Sequence, residues 1–179
     1  MIKYIALLRG INVGGKNIIS MTELKNLFIE SGFEEVSSYI NSGNIIFSSK
    51  ETSEKILKKR IEELIENKFR LSIPTLIMKA EDLLTYFKMV PEWWGNGTAL
   101  KHNAVFIMPP ITAREALEKI GISEYEKVRY SGQLIFWSAK LKDFPKTRLT
   151  RIKGTEIANS ITIRNSNTTK KIIEMIKEV

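Results

Sequence analysis

The segment Ser42-Gly-Asn-Ile-Ile-Phe-Ser-Ser49 aligns without gaps on Ser131-Gly-Gln-Leu-Ile-Phe-Trp-Ser138, and five of the eight residues are identical. Each segment opens with turn-forming residues and continues as an apolar run of the kind found in strands. Asn41-Ser-Gly43, just before the first run, is itself a hairpin signal. The two segments therefore predict that one β-hairpin occurs twice in the chain.

Both hairpins lie within the same predicted order of elements, strand-helix-strand-strand-helix-strand. The first set comprises strands Tyr4 to Leu8, Val36 to Ile40, Asn44 to Ser48 and Pro74 to Met78, with helices after Ser20 and from about Ser53 to Lys68. The second set comprises strands Ala104 to Met108, Lys127 to Tyr130, Gln133 to Ser138 and Ile161 to Ile163, with helices Ala113 to Ile120 and Arg148 to Asn159.

This order is that of the ferredoxin-like, or split βαβ, arrangement. The predicted fold is α+β, with two ferredoxin-like (βαββαβ) halves from an apparent internal duplication plus a C-terminal helix. The predicted domain limits are 1–79 for the N-terminal half, 80–102 for a connecting helix and loop, and 103–179 for the C-terminal half with the terminal helix.

Composition excludes several kinds of site. The 179 residues include no cysteine and one histidine, His102, so disulfides, thiolate metal sites, thiol catalysis and sites with two imidazoles are excluded. No apolar stretch approaches the roughly 18 residues of a transmembrane helix. We therefore expect a cytoplasmic protein with no membrane partner, no metal and no cofactor. The sequence leaves the oligomeric state open.

Charge is concentrated near the C-terminus. The net charge is +8, and residues 139–179 carry 10 Lys/Arg against 4 Asp/Glu, a balance of +6. Basic surfaces attract phosphate-rich partners without specifying which one. The cations from Lys140 to Lys153, with Leu149 and Ile152 between them, suggest either a solvated helix face or a nucleic-acid contact.

The loop from Arg9 to Asn17 is the principal candidate site. In the predicted sheet order, 4-1-3-2, this loop and the hairpin after the second strand emerge at the same end of the sheet. The candidate ligand-binding residues that this topology gathers are Arg9, Asn12, Gly14, Gly15, Lys16, Asn17, Asn41, Ser42 and Asn44. Two interpretations remain open. The residues form an anion-binding site in which glycines allow close approach of backbone N–H groups, or they hold the two loops together.

Known nucleotide motifs do not describe this loop. Asn17 stands after Lys16 where a P-loop requires Ser or Thr, and the dinucleotide spacing of glycines is missing. An RNA-stacking sheet is also disfavoured, because Tyr4 and Phe47 are expected on opposite faces and both faces of the strands are apolar. Arg164 and Asn165, between the last strand and the last helix, are further candidates for anion contact or helix capping.

No catalytic set emerges from the residues. His102 has no second histidine and no adjacent carboxylate, so a structural role is expected. The acidic pairs Glu34-Glu35 and Glu62-Glu63 are adjacent in sequence and cannot face each other as an acid/base couple. An enzymatic activity is therefore left open, with a binding function preferred.

Three motifs resemble a known family. Ala6-Leu-Leu-Arg-Gly-Ile-Asn-Val-Gly-Gly-Lys-Asn17, Met21-Thr-Glu-Leu24 and Tyr39-Ile-Asn-Ser-Gly-Asn-Ile-Ile-Phe47 are similar to the bacterial family called domain of unknown function 1697. Thr162-Ile-Arg-Asn-Ser-Asn-Thr168 resembles that family's C-terminal pattern, with Ser166 where the family usually has tryptophan. The resemblance implies a cytoplasmic bacterial protein with no established activity, cofactor or substrate, and it supplies no catalytic residue.

These observations predict an uncharacterised bacterial protein that binds a phosphorylated or otherwise anionic small molecule, a nucleotide included, at the Arg9–Asn17 loop and the Asn41–Asn44 hairpin. One alternative is a nucleic-acid-binding module that uses the basic C-terminal face. A further alternative is a metal-independent enzyme that acts on a phosphate-bearing substrate.

Overall fold

The computed structural model describes residues 1–178, which divide into two compact units. The first unit is Met1–Leu83 with the end of the last helix from Ile176, and the second is Leu84–Met175. The boundary falls inside the predicted connecting segment 80–102. Val179, the last residue of the predicted C-terminal half, lies outside the described residues.

The first unit has the predicted order of elements. Its elements are β1 (Ile2–Leu8), α1 (Met21–Glu30), β2 (Glu34–Tyr39), β3 (Asn44–Ser49), α2 (Glu54–Phe69) and β4 (Thr75–Lys79), followed by the connecting helix α3 (Ala80–Phe87). The strands form a sheet of order β2-β3-β1-β4 in which every neighbouring pair is antiparallel. The ferredoxin-like fold predicted for this half is confirmed.

Helix ends in the first unit follow the sequence signals. Ser20 and Ser53 are N-caps, because each side chain accepts a hydrogen bond from a backbone N–H three residues later. Gly32, with φ +83°, follows the end of α1 as expected for the residue after a C-cap. These caps fix where the helices begin and end over the sheet.

The core of the first unit lies between the sheet and its two helices. Buried side chains of β1, β3 and β4 pack there with those of α1 and α2, including Leu24, Leu57 and Ile61. The prediction that Tyr4 and Phe47 point to opposite faces is wrong. They are directly paired across β1 and β3, and their rings stack at 5.6 Å in this core. Directly opposed residues share a face, and the sequence did not reveal that register.

The second unit repeats the sheet. Its elements are β5 (Leu100–Ile107), α4 (Ala113–Ile120), β6 (Glu126–Ser131), β7 (Leu134–Lys140), three 3-10 segments (Leu141–Lys146, Leu149–Arg151 and Glu156–Ser160), β8 (Ile161–Asn165) and α5 (Ser166–Lys177). The sheet order is β6-β7-β5-β8, again antiparallel throughout. Both predicted ferredoxin-like sheets and the C-terminal helix are therefore confirmed.

The predicted helix from Arg148 to Asn159 is wrong. Two short 3-10 segments stand in its place, separated by residues 152–155. Gly154 has φ +83°, which ends any helix, and a carboxylate distant in sequence binds the chain at Arg148: both oxygens of Glu126 accept from its backbone N–H, at 3.1 and 2.9 Å. Tertiary contacts override local propensity here.

Helix α4 is fixed by a capping box. The Thr112 hydroxyl accepts from the Glu115 N–H, and the Glu115 carboxylate accepts from the Thr112 N–H at 2.8 Å. These hydrogen bonds hold the pKa of Glu115 below its ordinary value. On the face of the sheet away from α4, Phe136 packs against Phe87 and Trp94. Both faces of the second sheet are therefore covered within this unit.

Across residues 1–178, no helix combines the length and apolar composition that a membrane crossing requires.

Candidate anion-binding site

The loop after β1 folds back on itself as a small hairpin. The Lys16 N–H donates to the Val13 carbonyl at 3.1 Å, and the Asn12 N–H donates to the Asn17 carbonyl at 3.2 Å. Gly14 and Gly15 form the two-residue turn, with φ of +58° and +73°. Positive φ at both positions is the pattern of a type I′ turn, which matches the twist of the flanking strands. We call residues 12–17 the loop hairpin.

Asn12 joins the loop hairpin to its surroundings. Its amide nitrogen donates to the carbonyls of Ile19 at 2.9 Å and Asn41 at 2.8 Å, and its amide oxygen accepts from the Ile19 N–H at 2.9 Å. Both donors of the amide are thus used within the protein. Asn12 therefore holds together the loop after β1, the start of α1 and the β2-β3 turn.

Two more of the predicted asparagines also bind nearby backbone. The Asn17 amide donates to the Gly10 carbonyl at 3.0 Å. The Asn44 amide, almost fully buried, donates to the Tyr39 carbonyl at 3.0 Å and to the Ser42 hydroxyl at 2.9 Å. The Asn41 side chain, by contrast, is exposed. Asn12, Asn17 and Asn44 thus bind groups of the protein itself, which is the second of the two interpretations of these residues: that they hold the two loops together.

Gly43 sets the distance between the two loops. Its carbonyl accepts from the Leu8 N–H at 2.9 Å, and it has φ +73°. A Cβ at this position would lie 2.7 Å from Leu8 Cβ and 2.9 Å from Ile11 Cδ1. Only glycine fits such an approach, so the β2-β3 turn packs directly on the base of the loop after β1.

Cationic and N–H groups remain available at this end of the sheet. Arg9 is half-buried and Lys16 is exposed, and neither has an ion pair among residues 1–178. Within the same part of the chain, no acceptor binds the N–H groups of Gly14 and Gly15. Residues 1–22 and 36–50 contain no Asp or Glu. The nearby Glu62 carboxylate is engaged by the Thr75 N–H at 2.8 Å and by Lys58.

Arg164 and Asn165 belong to the second unit. The Arg164 side chain is buried in β8, where Nη1 donates to the Thr162 hydroxyl and the Ile163 carbonyl, each at 2.9 Å. Burial lowers the pKa of Arg164 to about 10. Asn165 caps α5, because its side chain accepts from the Thr168 N–H at 2.8 Å. Of the two roles considered for Arg164 and Asn165, anion contact and helix capping, Asn165 therefore has the second.

His102 is buried and both ring nitrogens are bonded. Nε2 is 2.8 Å from the Asn96 carbonyl, so it carries the proton, and Nδ1 then accepts from the Ser138 hydroxyl at 2.5 Å. These contacts tie the segment before β5 to β7, in keeping with the expected structural role. No group of three or more metal-ligating side chains occurs in residues 1–178.

The sequence signal for the loop hairpin is its pair of glycines. A Gly-Gly pair between two residues able to pair is a two-residue hairpin turn, and Gly14-Gly15 is such a pair. Three apolar side chains of this loop and of the β2-β3 turn, Val13, Ile18 and Ile40, are each at least half exposed. The cations Arg9 and Lys16 are thus accompanied by apolar surface.

The fold and these loops define a class of protein: a two-unit ferredoxin-like α+β protein with a hairpin-bearing loop after its first strand. The chain belongs to the family described as protein of unknown function DUF1697, whose model matches residues 1–136. The family resemblance of the three motifs between residues 6 and 47 is thereby confirmed, and the pattern at residues 162–168 lies beyond the matched range.

A solved structure is similar over nearly the whole length. It is described as that of a conserved bacterial protein from Streptococcus pneumoniae, with a TM-score of 0.84, 30% sequence identity and coverage of 98% of each chain. No curated protein matches the sequence.

Proposed function

We propose that the first unit binds an anionic small molecule of the phosphorylated class, nucleotides included, at the loop hairpin. The observation that carries this proposal is that, within residues 1–178, the cations Arg9 and Lys16 have no ion pair and the N–H groups of Gly14 and Gly15 have no acceptor. All four belong to one short loop free of carboxylates.

The division of roles follows from the contacts. Asn12, Asn17 and Asn44 hold the loop hairpin and the β2-β3 turn in place, so the charged groups are positioned before a ligand arrives. Preorganised donors lose less conformational entropy on binding. The exposed Asn41 amide and the apolar side chains of Val13, Ile18 and Ile40 are available to the uncharged part of the ligand.

The test compares two double variants with equal loss of charge. Arg9→Ala with Lys16→Ala removes the cations of the site. Lys50→Ala with Lys68→Ala removes two exposed cations elsewhere in the first unit. Binding of inorganic phosphate, ADP and citrate is measured by calorimetry and thermal shift. We expect one of these anions to bind the wild type, and the first double variant to bind it at least about tenfold more weakly, because a hydrogen bond to a charged group contributes about 1.5–3 kcal/mol.

The control double variant should bind as the wild type does. Equal weakening in both double variants would mean that net charge alone attracts the anion, and the proposal would then be wrong. Binding that survives in the folded Arg9→Ala, Lys16→Ala protein would also contradict it.

A further inference from the structure

We propose that the second unit carries a separate site for the terminal phosphate group of a small molecule, in a cavity between α4 and the 3-10 segments. The cavity has a volume of about 290 Å³, and three cations line it: Lys119 from α4, and Arg148 and Arg151 from the segment after β7. This site is independent of the loop hairpin, since all of its residues lie in the second unit.

The geometry of the 3-10 turn brings the two arginines together. Residues three apart in a 3-10 turn lie one above the other, and the Arg151 N–H donates to the Arg148 carbonyl at 3.0 Å. Both arginines are exposed, and both line the same cavity. Two planar forks of this kind suit a phosphate group, because each can donate two parallel hydrogen bonds.

The turn that carries the arginines is held in place by buried groups. The Arg148 backbone is bound by the buried Glu126 carboxylate, and Leu149 is buried in the core of the second unit. The Thr150 hydroxyl donates to the Thr147 carbonyl at 2.9 Å. The backbone of Arg148 and Arg151 is therefore held in place by contacts that do not involve their guanidinium groups.

Charge in and around the cavity favours an anion. Lys119, Arg148 and Arg151 have no ion pair among residues 1–178. Residues 127–155 contain eight Lys/Arg and one acid, Asp143, which is paired with Lys146 at 3.2 Å. The acid in the cavity lining is Glu156, so the lining carries a net positive charge. Nearby on α4, Glu118 is paired with Arg114, while Glu115 lies close enough to Lys119 to interact with it.

The shape of the site favours one phosphate group over a nucleic-acid backbone. The three cations line a single cavity whose remaining lining includes the isoleucines Ile120, Ile152 and Ile157. A nucleic-acid contact instead needs cations spaced along a surface, each meeting a different phosphate. We therefore expect a small organic phosphate, with its carbon part against the isoleucines.

The experiment uses glucose 6-phosphate as the probe, with glucose and a single-stranded oligonucleotide for comparison, and follows binding by backbone-amide NMR on the full chain. We expect glucose 6-phosphate, and not glucose, to shift the amides of residues 148–157. Arg148→Ala with Arg151→Ala should weaken binding at least about tenfold. The matched control, Lys140→Ala with Lys142→Ala, removes two exposed cations at the end of β7 and just after it, and should bind as the wild type does.

A further variant separates binding from folding. Glu156→Gln removes the acid of the lining, and we expect it to bind glucose 6-phosphate severalfold more tightly, a gain that a folding defect cannot produce. The proposal would be overturned if both double variants lost affinity for glucose 6-phosphate equally, or if Glu156→Gln gained none. Oligonucleotide binding that depends equally on Lys140 and Lys142 would also overturn it. Loss of these shifts in Arg9→Ala, Lys16→Ala would assign the ligand to the loop hairpin instead.

Discussion

The two hairpins that suggested a duplicated fold are built differently. In the first unit Tyr39 pairs with Asn44, which leaves a four-residue turn, whereas in the second Ser131 pairs with Leu134 around a two-residue turn. As a result, Phe47 faces the helices of its unit, while Phe136 points to the opposite face and Trp137 faces the helix. The ungapped match between the two segments is therefore one residue out of register with the structure.

An ungapped match between two strand sequences does not establish which face of the sheet each side chain occupies. A shift of one residue moves every side chain of a strand to the other face of the sheet. Both faces of β3 and β7 are buried, so apolar residues suit either register, and sequence identity alone does not reveal the facing. The order of the elements predicts the repeated fold, and the turns decide which side chains meet.

The glycines of the two turns should respond differently to substitution. Gly43→Ala places a Cβ 2.7 Å from Leu8 Cβ at φ +73°, so strain and overpacking together should lower the free energy of unfolding by about 2–5 kcal/mol. Gly132→Ala places a Cβ in direct overlap with Cε1 of Tyr86. Because Tyr86 is only half-buried, we expect its ring to turn aside and the free energy of unfolding to fall by about 1–2 kcal/mol. Urea denaturation of both variants checks this order, and an equal or reversed effect would contradict the account of the first turn.

The pair His102–Ser138 has a counterpart in Lys3–Ser48, at the same register of the first sheet. Ser138 bonds His102, whereas Ser48 donates to Glu35. We expect His102→Ala to lower the free energy of unfolding by about 2–3 kcal/mol, because it leaves a cavity and removes the partner of the buried Ser138 hydroxyl. Asn96→Ala keeps the backbone carbonyl that His102 binds, so denaturation should show little change. A stable His102→Ala protein would refute the structural role.

The contact between the loop hairpin and the β2-β3 turn depends on Asn12. The second unit has no equivalent loop hairpin within its described residues. Asn12→Ala removes three hydrogen bonds and should lower the free energy of unfolding by about 2 kcal/mol. Asn41 contributes its backbone carbonyl to this network, so Asn41→Ala is the matched control and should change stability by less than about 0.5 kcal/mol. If thermal denaturation showed equal losses for the two, Asn12 would not be the residue that joins the loops.

The smallest expected effect concerns alkaline pH. Tyr4 donates to the Glu51 carbonyl at 2.8 Å, and burial, with the Glu54 and Glu51 carboxylates, raises the pKa of its hydroxyl above the ordinary value. A raised pKa in the folded state contributes stability below about pH 10 that is lost as the pH rises through the folded value. In the second unit the position that corresponds to Tyr4 is Asn103, which pairs with Trp137 as Tyr4 pairs with Phe47.

Urea denaturation as a function of pH checks the Tyr4 contribution. Wild type should lose stability above about pH 10 more steeply than Tyr4→Phe, which lacks the titrating hydroxyl. At neutral pH the same variant should be less stable by about 1 kcal/mol, the contribution of one hydrogen bond. Parallel alkaline curves for the two proteins would show that Tyr4 does not titrate in the folded state.

The sequence predicted the parts of the structure that local patterns determine. Hydrophobic periodicity and the capping signal at Ser20 predicted the elements of the first unit, and their order predicted both sheets. The segment 148–159 could not be predicted, because the Glu126 carboxylate that binds Arg148 comes from a different strand.

The proximity of the two loops was predicted from the topology, whereas the contacts of the individual asparagines were not. The predicted sheet order placed the loop after β1 next to the β2-β3 turn, and the hydrogen bond from the Asn12 amide to the Asn41 carbonyl shows that the two are in contact. Amide side chains can bind a ligand or the backbone equally well, so the sequence alone does not reveal that Asn12 and Asn44 bind groups of the protein itself.

The most direct test of the anion-binding hairpin is the NMR response of the Gly14 and Gly15 amides during titration with ADP. The account predicts saturable shifts at these two amides and at their neighbours in the first unit, residues 9–17 and 40–43. The same shifts should be absent in the folded Arg9→Ala, Lys16→Ala protein. Saturable ADP binding that leaves the Gly14 and Gly15 amides unchanged would contradict it.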